Sequence, residues 1–211
     1  MGTSQTALAP TSTCRHTICD AVSRIGGRRE ERLPAYVRAM NIFVLDTDID
    51  RCARYHCDQH VGKMVLESAQ ILCTALNLKG FDTPYRSTHS KHPCVLWAGA
   101  SYDNFEWLVA LAEALNREFC WRYDRRQDHA SMEVLTQIQG IRFEAAGLTG
   151  FAQAMPDRYK VPGDAVAACR NFYCGDKAHF ASWRKRKIPD WFRPVPADEG
   201  PAMNPAAQKL L

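Results

Sequence analysis

His56, His60, Lys63, Glu67 and Gln70 are spaced by four, three, four and three residues. On a helix advancing ~100° per residue they fall within an arc of about 80°. Two imidazoles, an ammonium, a carboxylate and an amide would then share one stripe. Side chains of these types can move protons and hold an anion. A polar stripe is also the ordinary signature of a solvated helix face, and Lys63 and Glu67 form an i, i+4 pair, in the less favourable order. Two histidines and a glutamine are less typical of such a surface, which favours a functional face. His56 and His60 also have zinc-ligand spacing, with Cys52 one turn earlier. No Cys-x-x-Cys pair supplies further ligands, so no metal is expected.

The opposite face of the same helix carries Val61, Val65, Ala69 and Leu72, which can be buried. Asp46-Thr47-Asp48 offers N-cap chemistry, and the periodicity predicts a first long helix over about 49–76. Before it, Met40-Asn41-Ile42-Phe43-Val44-Leu45-Asp46 is a short apolar run, a strand or a buried extended segment. The stretch from Asn77 to Pro84 breaks the helix. A polar loop with His89 and His92 follows, and Pro93 is placed as the first residue of a second helix. That helix, roughly 93–123, is apolar over most of its girth and belongs in the core, with Trp97 as plain core. Arg122, Tyr123 and His129 lie in the polar stretch that leads to a shorter helix over about 130–139. Residues 140–163 form a loop region. A last helix over about 164–187 would align Arg170, Tyr173, Lys177 and Arg184. The fold expected is mainly α, a compact bundle of about four to five helices with a short N-terminal extended segment.

The chain has 211 residues, 46% hydrophobic and 24% charged, with a net charge of +4. These values describe one globular domain with tails, leaning weakly toward anionic partners. No run approaches the ~18 apolar residues of a membrane span, and no apolar leader segment opens the chain. Nine cysteines is an odd, high number, and several fall in apolar helical patterns. Buried free thiols in a reducing cytoplasm explain them better than a disulfide framework. No residue pattern singles out one of them as a nucleophile. Residues 1–39 carry six Arg against three acidic residues, net +3, without sustained periodicity, and form a flexible basic arm or an upstream extension. The folded domain spans 40–193, and a Pro-rich disordered tail runs over 194–211. Residues 158–193 carry nine Lys or Arg against three Asp, net +6, interleaved with Trp183, Trp191 and Phe192. That pattern suits phosphate contact with base stacking, and equally a helix that docks its aromatics and solvates its charges.

Several segments together resemble a known family. They are Met40 to Asp46, CARYHCDQHVGKMVLESAQ (52–70), THSKHPCVLWA (88–98), RYDRRQDH (122–129), FAQAMP (151–156) and RNFYCGDKAHFASWRKRKIPDWF (170–192). The family is the phage amino acid:DNA transferases of thymidine hypermodification, the alpha-glutamyl/putrescinyl thymine pyrophosphorylase-like proteins. A more distant likeness, through Asp58-Gln59-His60 with Glu67 and through residues 102–108, is to the phage pyrimidine-dimer DNA glycosylase. In that enzyme the carboxylate matching Glu67 is catalytic, and the nucleophile is the amine of a processed N-terminal residue. Here thirty-nine residues precede Met40, a departure from that arrangement.

The resemblance implies a transferase acting in the host cytoplasm on double-stranded DNA that carries phosphorylated 5-hydroxymethyluracil, made by an upstream DNA base kinase. A free amino acid, glycine being the first choice, attacks the 5-methylene carbon through its amine, and phosphate or pyrophosphate leaves. Glu67 or His60 would be the base. Lys63, Arg122, Arg170 and Lys177 would hold the phosphate. His89, His92 and His129 would donate to it. Asp58 and Gln70 complete the expected substrate contacts, and Tyr123, Tyr173 or Trp97 would wall a flipped base. No cofactor is expected. A pyrimidine-lesion glycosylase and a non-catalytic DNA-binding module are the alternatives.

Overall fold

The computed structural model describes residues 40–195, so the arm expected over 1–39 and the tail from 196 lie outside the described residues. Within that span the chain is helical, with six α-helices and no strand. They are α1 (Ile49–Tyr55), α2 (Asp58–Leu78), α3 (Pro93–Ala100), α4 (Tyr102–Arg122), α5 (Ser131–Ile138) and α6 (Ala165–Cys174). Single 3-10 turns follow at Asp157–Tyr159 and Ala178–Phe180. The mainly α expectation holds, with six helices where four to five were expected.

Two of the expected long helices are each divided. The first breaks at His56 and Cys57, both extended (ψ 135° and 164°). Breaking a helix strands backbone carbonyls, and here the guanidinium of Arg122 donates to those of Arg54 (2.9 Å) and His56 (2.8 Å). The amide of Asp58 donates to the Ser182 carbonyl at 2.8 Å. The second long helix breaks at Ser101, whose hydroxyl accepts the Asp103 amide and so starts α4 as an N-cap. At α3 the expected start is found: Pro93 opens the helix and Nδ1 of His92 accepts the Cys94 amide.

Residues 164–187 do not form one helix. α6 ends at Cys174, where Gly175 leaves the helical conformation (ψ −105°) and lies under Tyr159, so close that a Cβ would overlap the phenol. The alignment of Arg170, Tyr173, Lys177 and Arg184 along one helix is therefore lost. Beyond α6 the chain crosses the N-terminus of α2 and buries Trp183 and Phe192. Val195 donates its amide to the Cys174 carbonyl, so the first residues of the expected tail are fastened to the domain.

α2 is the central helix. It packs along α4 and against α3 and α5, while α1 and α3 also rest on α4. Val61, Val65, Ala69 and Leu72 are fully buried, as the sequence pattern requires, and Trp97 is core. The segment Met40–Leu45 is buried but pairs with no strand. Side chains serve its backbone instead. Asn41 Oδ1 accepts the Ile42 amide, the Cys52 sulfur bridges the Leu45 amide and the Phe43 carbonyl, and Arg170 donates to the Leu45 carbonyl. Seven cysteines lie among the described residues, all free, six of them buried. Burial pushes the Cys94 and Cys169 thiols up to about 12, which keeps them as small hydrophobes rather than nucleophiles.

Candidate active site

The third turn of α2 presents Glu67 toward the extended segment. Its carboxylate is nearly buried and uses both oxygens: Oε2 accepts the Asn41 backbone amide at 3.0 Å, and Oε1 pairs with Lys63 Nζ at 3.0 Å. Lys63 itself is half exposed. The Asn41 side chain extends the link, donating to the Ala154 carbonyl and accepting the Cys94 thiol of α3. A carboxylate fixed at one oxygen by an amide and at the other by a half-exposed ammonium can be released as a base when a guest draws the ammonium away.

Two turns earlier, His60 is 4% exposed, stacked on Phe43 at 4.7 Å with the Phe180 ring against it edge-on. Nδ1 lies 2.6 Å from the Tyr173 hydroxyl. Burial, then the fields of His56, Lys63 and Lys177, pull the His60 imidazole down to about 2. A ring so reluctant to take a proton is a neutral hydrogen-bonding group at neutral pH, not a proton acceptor. The sequence offered Glu67 and His60 as candidate bases, and the burial of His60 does not suit it to that part.

Lys177 joins this group from the turn after α6. It is half-buried, with Nζ 4.7 Å over the Phe172 ring. Burial, then the charge of Lys63, lowers its ammonium below the ordinary lysine range, while Asp176 and Glu67 oppose the shift. Asp176 gives both oxygens to Arg158 and one also to the Tyr159 hydroxyl, which anchors the turn carrying Lys177. His60, Lys63, Glu67 and Lys177 thus lie within one another's fields, with one more positive charge than negative.

The other expected site residues are elsewhere. The helix break removes His56 from the stripe and buries it completely. Its Nδ1 donates to the Cys52 carbonyl, its Nε2 is sealed without a partner, and burial lowers it to about 4. Arg122 is fully buried and paired with Glu118 (2.6 Å) and Asp58 (3.1 Å), so a phosphate has no access to it. Asp58 also accepts the Arg184 amide and the Ser182 hydroxyl, and its carbonyl accepts from Tyr123. These three residues form a structural knot at the α1–α2 break. Arg170 is held by Asp46 and the Leu45 carbonyl and lies over Tyr55 and Trp191. His129 accepts the Ser131 amide at the start of α5 and meets Phe119 edge-on. His92 is occupied as the N-cap of α3, and His89 is exposed with φ +52°. Their loop docks beside the cluster through Thr88, which reaches Thr74 of α2 and Met40. Gln70 is half-buried one turn beyond Glu67.

Sequence reasoning missed the Asn41 amide, which no residue pattern encodes, and gave Tyr173 only a stacking role. Tyr173 lies 113 positions from His60 and leaves no local trace of the pairing. Of the aromatics interleaved with the basic C-terminal segment, Trp183 and Phe192 are core. The exposed indole at that surface is Trp121 of α4, covered by the Arg186 guanidinium at 4.0 Å, which Glu118 clamps through both oxygens.

No family model, curated protein or solved structure matches the chain. Among the described residues no helix is long and apolar enough to cross a membrane. No group of three or more His, Cys, Asp or Glu side chains among them is arranged to hold a metal ion.

Proposed function

We propose that the protein is a DNA base-modifying transferase that joins the amine of a free amino acid, glycine first, to phosphorylated 5-hydroxymethyluracil in double-stranded DNA. The observation that carries this reading is the Lys63–Glu67 ion pair on the same helix as the buried His60, with Lys177 on the turn whose Phe180 packs against that imidazole. In the reaction the amino-acid nitrogen attacks the 5-methylene carbon and a carbon–nitrogen bond forms. The carbon–oxygen bond to phosphate breaks, and its electron pair leaves with the phosphate oxygen. The proton lost by the attacking amine passes to Glu67. Lys63 and Lys177 neutralise the departing phosphate, an electrostatic role worth most where water is partly excluded. Lys63 leaves Glu67 as it engages that phosphate, so substrate binding and exposure of the base coincide.

The test is mass spectrometry of nucleosides from DNA treated with the 5-hydroxymethyluracil kinase, the protein and glycine. An aminoacylated thymidine is expected with the native protein and none with Glu67→Gln. Its absence with the native protein would reject the reading. Under a purely DNA-binding role, Glu67→Gln would leave biological activity intact. A second reading, a pyrimidine-lesion glycosylase, is favoured by the half-buried Lys177 amine in the field of Glu67, since an amine of lowered basicity beside a carboxylate suits attack at a sugar carbon. Abasic sites in dimer-containing DNA after incubation would support it.

A further inference from the structure

We propose that His60, Lys63 and Lys177 form a site for a tetrahedral phosphate oxyanion, and that Tyr173 builds it by fixing which nitrogen of His60 carries the hydrogen. Tyr173 is fully buried. Its hydroxyl lies 2.6 Å from Nδ1 of His60, with the Cys57 amide and the Cys57 sulfur, a much weaker acceptor than an imidazole nitrogen, also beside it. A buried hydroxyl proton goes to an available acceptor, because leaving a donor unpaired inside the core is costly. Tyr173 therefore donates and Nδ1 accepts. A neutral imidazole carries one hydrogen, so it sits on Nε2.

Nε2–H then lies at the ring edge away from Tyr173. Among the described residues it has no hydrogen-bond partner, and the sealed, unpartnered nitrogens are those of His56, Trp97 and Trp191. His56 shows the opposite arrangement: its Nδ1 faces a carbonyl, which can only accept, so its hydrogen is on Nδ1. Two histidines four residues apart are thus held in different tautomers by different partners, and only that of His60 offers a donor to a guest.

Lys63 stands one turn on from His60 along α2, and Lys177 opens the 3-10 turn whose Phe180 ring meets the His60 ring edge-on at 5.3 Å. Glu67 balances one of the two ammonium charges. Lys177 has no ion-pair partner among the described residues, its neighbour Asp176 being held by Arg158 and Tyr159. Two ammoniums and a neutral N–H donor around an uncompensated positive charge match a phosphate oxyanion. Tyr173 is a positioning residue, acting through His60 as outer partners of ligating histidines do.

The proposal rests on the transferase reading only in naming the natural guest, the phosphate that departs from the base. It is tested with full-length protein labelled with 15N-histidine. The His60 nitrogens should report the Nε2–H tautomer between pH 6 and 8, and inorganic phosphate should shift the His60 resonances saturably. Tyr173→Phe should mix the tautomers and weaken phosphate roughly tenfold, the loss of one charge-assisted hydrogen bond. Lys177→Gln should weaken it at least as much with the tautomer unchanged, a check that does not depend on Tyr173→Phe folding. An Nδ1–H tautomer in the native protein, or no response to phosphate, would overturn the site. Equal phosphate affinity in native and Tyr173→Phe protein would overturn the role of Tyr173. An oligonucleotide bearing the phosphorylated base, compared with unmodified DNA, separates a substrate phosphate from a free one. Phosphate binding without amino-acid transfer would reject the transferase while leaving this site standing.

Discussion

Asn41 and Glu67 meet backbone to side chain, the Asn41 amide donating to Oε2 across 3.0 Å. A side-chain substitution at Asn41 does not remove this bond, so the contact is tested at Glu67. Glu67→Gln keeps an oxygen for the amide and removes the charge that pairs with Lys63. The expected result is a folded protein destabilised by about 1 kcal/mol with transfer reduced roughly 10²- to 10⁴-fold, the usual contribution of a general base. Urea denaturation and nucleoside mass spectrometry measure the two effects.

Arg122 gives the opposite outcome. Its guanidinium holds Glu118, Asp58 and two carbonyls at the helix break. Arg122→Met leaves a buried carboxylate and orphaned carbonyls, a loss of roughly 3–5 kcal/mol. The urea midpoint should fall sharply. If the variant is assayed in the temperature range where it stays folded, its phosphate affinity should match the native protein.

The pH dependence follows from His56 and His60. Both are neutral when folded, with pKa values near 4 and 2, against the ordinary value of 6.5. Below about pH 6.5 the unfolded chain takes up protons that the folded chain refuses, so folding stability falls with pH. The stabilisation is complete above that value. The His56 share is lost by about pH 4, and the His60 share keeps falling toward pH 2. Between pH 7 and 5 the loss is about 2 kcal/mol per histidine. Urea midpoints at the two pH values should show it, and His56→Phe should flatten the slope by its own share, His92 and His129, also lowered by burial, adding to what remains.

Gly175 tests the turn that carries Lys177. Gly175→Ala forces a methyl into Tyr159. Overpacking of this kind costs roughly 1–3 kcal/mol. Because the turn moves, phosphate affinity and transfer should both drop. A variant with native phosphate affinity would separate Lys177 placement from the Tyr159 contact.

Trp121 is exposed beneath the Arg186 guanidinium. Base–aromatic stacking contributes roughly 1–3 kcal/mol per base. Trp121→Ala should therefore weaken DNA binding without altering the His60 tautomer or the affinity for free phosphate. Fluorescence anisotropy of labelled DNA against salt concentration measures this.

Periodicity located α2, its buried face and the cap of α3, because each depends on residues within a few positions. It placed Lys63 and Glu67 together for the same reason. It did not locate the break at His56, whose carbonyl is served by Arg122 from 66 positions away. That break is why His56 left the stripe and why Arg122 became structural. Lys177 was offered as a phosphate ligand on a helix that in fact ends three residues earlier, at Cys174. The sequence offered His60 as a base, and only its burial against Phe43 and Tyr173 makes it a donor.

The buried thread Met40–Leu45 has a kinetic consequence. Its ties reach 26 positions to Glu67, 113 to Ala154 and 125 to Arg170. Helical proteins are usually fast folders because their contacts are local, and long-range closure slows the search. This domain should refold more slowly than its helix content implies, with the final ordering step set by the thread finding its groove.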